Sequence, residues 1–173
     1  MSDRENLTAN LDSGRAELLA AVEGMTEEQA AAKPAAGGWT ALECVEHVAT
    51  VETLMLRRLA AQSVPVEGEL SRDREAVLYA RIATRGKKVD APEIAQPKGR
   101  HTTLSEAVRA FLDARERTER WLATCDFDLR RRSVEHPALG PASAYEFVLI
   151  MAAHVARHAR QIQQSRSAAG QPE

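Results

Sequence analysis

His154 and His158 stand four residues apart in the stretch FVLIMAAHVARHARQIQQ. On a helix, four residues turn ~400° and rise ~6 Å, so both imidazoles project from one face. Two nitrogens so placed can reach a single ion at ~2.0–2.1 Å. Taken alone, the pair reads more readily as two surface or partly buried histidines than as ligands. Two further features favour ligands. Phe147 to Ala153 are wholly apolar, so the helix should be buried where His154 begins, and a buried polar pair needs partners, of which a metal is one. A third histidine, His47, lies mid-helix among Cys44, Val51 and Leu54. A lone histidine on an apolar face is ordinarily a satisfied core residue, but helix axes ~8–10 Å apart would let His47 supply a third nitrogen.

Three neutral imidazoles leave coordination positions open, which suits a catalytic or ligand-binding site better than a closed structural one. Imidazole favours Zn²⁺ or Ni²⁺. Zinc-protease chemistry needs a glutamate directly after the first histidine of the pair, and here that residue is Val155. Supporting or acid–base groups could come from Glu43, one turn before His47, or Gln161, one turn after His158, although capping or surface roles explain both more simply. His136 precedes Pro137 in a connector and could line the mouth of a pocket, while His101 reads as an exposed loop residue. Cys44 reads as a small buried hydrophobe.

The elements that must position these side chains follow from periodicity and caps. The chain has 173 residues, 44% hydrophobic and 28% charged, with only 4% aromatics. That composition fits one globular, helix-rich domain spanning 1–173, with a core at about 5–168. Leu7, Leu11, Leu18 and Val22 make a helical stripe ended by Gly24. Thr26 and Gln29 open a short helix, Thr40 and Glu43 a long one from Ala41 to about Gln62, and Thr103 and Glu106 another to about Cys125. Each pair has capping-box spacing. A shorter helix from Ser71 through Arg85 should turn Val77, Leu78 and Ile82 inward. On the helix after Thr103, the inward residues should be Leu104, Val108, Phe111, Leu112 and Leu122. Residues 87–101 read as a long loop, of a length often functional in a compact domain. The last helix runs from Ala142 to about Ser165. No strand with convincing alternation is found. An all-α four-helix bundle with a short extra helix and a long loop between the second and third long helices hides these stripes most simply, and a less regular all-α fold is the alternative.

The remaining composition narrows the function. With 23 basic and 25 acidic residues, the chain lacks the basic excess of a nucleic-acid binder, and Arg130, Arg131 and Arg132 read as solvated charge beside a turn. Two cysteines make no disulfide framework. The start MSDRENL carries no apolar signal core, and no run approaches a ~20-residue membrane span. These readings predict a cytoplasmic protein with neither nucleic acid nor membrane as partner.

GGWTALECVEHVATVETLM, a long proline-containing loop, LSEAVRAFLDARERTERWL and HPALGPASAYEFVLIMAAHVARHARQI together resemble the DinB-like superfamily (DinB/YfiT type) over nearly the whole chain. The specific parts are Trp39-Thr40 ahead of the second long helix, His47, the HPALG connector, and His154 with His158 followed by Gln161-Ile162. The resemblance implies a four-helix bundle with a pocket at one end and a divalent metal on His47, His154 and His158. It also implies homodimers in many members and, in some, transferase or isomerase activity that uses a low-molecular-weight thiol. Many members carry an acidic residue where this chain has Val155, a departure that bears on charge around the site more than on ligation. Two functions follow. One is a metal-dependent thiol S-transferase or hydrolase acting on small electrophilic molecules. The other is a non-catalytic metal- or ligand-binding, stress-associated protein in which the ion ties two helices together.

Overall fold

A computed structural model describes residues 1–68, 72–73, 75–84, 90–137 and 139–169. Its helices are α1 (Asp3–Val22), α2 (Glu27–Ala31), α3 (Ala41–Gln62), α4 (Glu75–Ala83), α5 (Leu104–Thr124) and α6 (Ala144–Ala169). Capping boxes set where helices begin. The predicted ones at Thr26, Thr40 and Thr103 are all made, each hydroxyl accepting the third helical N–H while the Gln or Glu side chain accepts the cap's own N–H. Two more were overlooked in the sequence. Ser2 with Glu5 starts α1, and buried Ser143 with Glu146 starts α6, although both show the same S-x-x-E signal. Gly24 leaves α1 at φ 68°, the left-handed geometry expected after a helix end.

The four long helices form the bundle. α1 runs along α6, α3 packs on α5, and α3 also meets α6. Gly14 lets α1 approach closely, since a Cβ there would lie 3.0 Å from the Ala152 carbonyl oxygen. Leu7, Leu11, Leu59, Leu122, Phe147 and Met151 fill one half of the core. Leu18, Val45, Val48, Phe111, Val155 and Ile162 fill the other. α6 is the central element, buried without interruption from Ala144 to Ala153.

Several expectations are corrected. A small antiparallel sheet exists, in the order β1 (Val64–Pro65), β2 (Arg132–His136), β3 (Gly140–Ser143), with Val134 opposite Ala142. Its strands are too short, and β3 too rich in small residues, to show alternation. Val77 is 56% exposed, while Leu78 is buried and Tyr79 and Ile82 pack beside Ala153 and Ala156. Ser71 and Arg85, the expected ends of that helix, lie outside the described residues. On α5 the inward stripe is Leu104, Ala107, Phe111, Ala114, Arg115, Thr118 and Leu122, and Leu112 faces out. Small and even charged residues complete that stripe, which a search for large apolar side chains passes over. The arginine run is not solvated as a whole. Arg130 is buried between Asp3 and Glu75 and lies 3.8 Å over the Tyr145 ring, and Arg132 donates to Ser63 and covers Phe127.

Among the described residues no helix is long and apolar enough to cross a membrane.

Candidate metal centre

The Thr40–Glu43 cap fixes the start of α3, and two turns later this helix presents His47 toward α6. α6 presents His154 and His158 back across the gap from one face, as their spacing predicts. The three Nε2 atoms converge. His154 Nε2 stands 3.1 Å from His47 Nε2 and 3.2 Å from His158 Nε2. The ligand atoms of the trio all lie within 4.8 Å of one another, and among the described residues this is the one group of histidines, cysteines and carboxylates placed to hold an ion. His47 is 4% exposed and His158 6%, whereas His154 is half-buried.

His47 Nδ1 lies 2.6 Å from the Ala95 carbonyl oxygen. A carbonyl only accepts, so Nδ1 carries the proton and the neutral ring turns a bare Nε2 toward the other two histidines. This is the outer-sphere support that metal-binding histidines usually have. A proton on His154 Nε2 is directed at one of its two neighbours, whereas a cation between the rings meets all three lone pairs. Bonds of ~2.0–2.1 Å place neighbouring ligand nitrogens about 2.8–3.4 Å apart at right or tetrahedral angles, and the separations of His154 Nε2 from its two neighbours lie in that range. The donor set therefore fits a divalent ion of imidazole-preferring type.

Electrostatics favour the neutral form of His47 and His154. Burial, then the charges that His158, His47, Arg157 and His136 would carry, hold His154 well below the ordinary histidine pKa. Burial lowers His47 as well, partly offset by the Ala95 hydrogen bond. Neutral imidazole is the ligating form.

Other expected residues are placed differently. The carboxylate of Glu43 accepts from the Thr40 N–H and pairs with Lys33 at 2.6 Å. Burial opposes its ionisation, but Lys33 and Thr40 outweigh it and hold Glu43 below the usual carboxylate range. Gln161 accepts a bond from Ser165 through its backbone carbonyl, and among the described residues no hydrogen bond joins its side chain to a histidine. His136 packs edge-on against Phe147 with centroids 5.5 Å apart, and burial and Arg58 lower its pKa. His101 is half-buried beside a groove of about 430 Å³ between α3 and α5, which the trio does not line. Cys44 is buried among apolar neighbours and stands outside the trio.

Two contributors were missed. Trp39 stacks over His158 with centroids 6.1 Å apart and tilts against His47 at 4.6 Å, making an aromatic wall. Its place just before a helix cap was visible, but its contact with the histidines was not. Ala95, at the end of a short 3-10 turn over Glu93–Ala95, contributes through its backbone, for which a sequence carries no signal.

The family model of the DinB superfamily matches residues 10–162. The chain belongs to the DinB superfamily. Two solved structures share the fold. YfiT from Bacillus subtilis, described as a probable metal-dependent hydrolase with an unusual four-helix bundle topology, superposes with a TM-score of 0.63 at 18% identity, covering 99% of this chain and 91% of its own. TT2238, described as a four-helix bundle protein, gives a TM-score of 0.60 at 22% identity, covering 92% of this chain and 96% of its own. No curated protein matches this DinB-superfamily chain.

Proposed function

We propose that His47, His154 and His158 hold one divalent metal ion, Zn²⁺ or Ni²⁺, in an enzyme that hydrolyses small electrophilic molecules or transfers a low-molecular-weight thiol to them. The observation that carries this reading is the convergence of three Nε2 atoms, one of them on a ring whose tautomer a backbone carbonyl fixes. The description of YfiT as a probable metal-dependent hydrolase supports it by likeness of fold.

Bound there, the ion would supply Lewis-acid activation, lowering the pKa of water or a thiol. The chain's own residues provide the setting. His47 holds its Nδ1 proton on Ala95 and offers Nε2. Trp39 shields the rings of His47 and His158. His136, whose charge would oppose protonation of His154, is read as lining the mouth. A homodimer acting on a small-molecule partner belongs to the same proposal.

The non-catalytic metal-binding reading has one observation in its favour. Glu43, the carboxylate expected as an acid–base group, is engaged by Thr40 and Lys33. Assays on Zn²⁺- and Ni²⁺-loaded protein separate the two. Ester hydrolysis, or consumption of a thiol with an electrophile panel, that disappears in His154→Ala supports the enzyme. Stoichiometric metal with no turnover across the panel supports the binding protein.

A further inference from the structure

Glu46 precedes His47 on α3, is 1% exposed, and points at the segment that holds the histidine. Its Oε1 accepts from the Lys98 N–H at 2.7 Å and from the Arg100 guanidinium at 2.8 Å. Its Oε2 accepts from the Arg100 N–H at 2.9 Å. His47 makes the other connection, to Ala95. Among the described residues, every hydrogen bond between residues 90–101 and the helices is made by Glu46 or His47. The remaining bonds of the segment are internal, such as Ala95 N–H to Pro92 and the Gln96 side chain to Ala91.

We infer that Glu46 is a positioning residue for the metal centre. It straps residues 95–100 to α3, and the strap in turn holds the Ala95 carbonyl on His47 Nδ1. The segment is irregular backbone around a single 3-10 turn, with exposed Pro92 at its start and half-buried Pro97 beyond it, so it has no ladder of its own to keep Ala95 in place. A carboxylate accepts both backbone N–H groups and the guanidinium at once. A carboxamide accepts on one atom only and turns a donor toward the other N–H. Removing the charge therefore loosens the strap while leaving the shape of the side chain intact. Loss of an outer-sphere partner of a metal-binding histidine typically weakens metal affinity ~10–100-fold. This inference rests on the metal-centre reading for its affinity consequence, but the effect on His47 itself exists without any ion.

Glu52 is the natural control. It is equally buried on the same helix, at 2% exposure, but pairs with Arg115 on α5. The experiment compares Glu46→Gln, Glu52→Gln and wild type by competition for Zn²⁺ against a chromogenic chelator, and by ¹⁵N NMR of the His47 ring in metal-free protein. Expected for Glu46→Gln is a ~10–100-fold loss of Zn²⁺ affinity and a shift of His47 from the Nδ1–H tautomer to a mixture, with neither change in Glu52→Gln. Arg100→Ala, which removes one arm at the surface, moves both readouts the same way by a smaller factor and serves if Glu46→Gln does not fold. Unchanged affinity and tautomer in folded Glu46→Gln, or equal affinity losses in both glutamine variants, overturns the inference. Absence of Zn²⁺ binding in wild type sinks the metal reading instead, and the tautomer then decides the strap on its own.

Discussion

Buried polar groups are handled in opposite ways at two places in the bundle. Between α1, α3 and α5, the fully buried Arg115 meets Glu52 at 2.8 Å and 3.1 Å and donates to the Leu11 carbonyl. Near the start of α1, Arg130 meets Asp3 and Glu75 in the same manner. In both, charge is answered by opposite charge, and the protein is complete in itself. Between α3 and α6, three bases face one another, and Arg157 and His136 add to the positive charge that opposes protonation of His154. A cation is what that site could hold. The difference separates residues that hold the bundle together from residues that, under the proposed function, hold an ion.

The largest way to break this contrast is to remove ligands. Replacing His154 and His158 by alanine should weaken Zn²⁺ binding by more than ~100-fold, beyond what outer partners are worth, as read by chelator competition. Retained stoichiometric metal in that variant would disprove the site. Next in size, Glu52→Ala leaves Arg115 buried without its carboxylate and should lower unfolding free energy by ~3–5 kcal/mol in a urea titration, with metal affinity of the folded fraction unchanged. Coupled loss of metal would show that the two regions are not separate.

Acidity tests the contrast more gently. His47 and His154 have folded-state pKa values below the ordinary one, so the unfolded chain binds more protons as pH falls through ~6.5. Stability is thus fully present above that value and declines beneath it. Protons also compete with metal, and because the folded-state values are depressed, release should have its midpoint below ~6.5. Metal retained unchanged at pH 4 would argue against imidazole ligation. The smallest effect belongs to His101→Ala, which should stay within ~0.5 kcal/mol of wild type in stability and keep its metal.

Much of this was legible in the sequence because it is local. Capping pairs at Thr26, Thr40 and Thr103 fixed helix starts, and the His154–His158 spacing placed two rings on one face. His47 needed the additional step that α3 and α6 are neighbours, which apolar stripes support. What escaped was determined by distant partners. Arg115 sits in a core stripe because Glu52, on another helix, neutralises it. Arg130 reads as surface charge until Asp3 and Glu75 arrive beside it. Glu46 looks like one more helical glutamate until the 95–100 segment folds over it, and the Ala95 carbonyl belongs to backbone that any residue could supply. The three-stranded sheet escaped for a different reason, since its strands are shorter than the alternation needed to recognise them.

The central claim is that three histidines share one ion, and elemental analysis of untagged protein, wild type beside His47→Ala, tests it most directly. About one Zn²⁺ or Ni²⁺ per wild-type chain is expected, and little in the variant. Wild-type protein that carries neither metal, even after incubation with both, would contradict it.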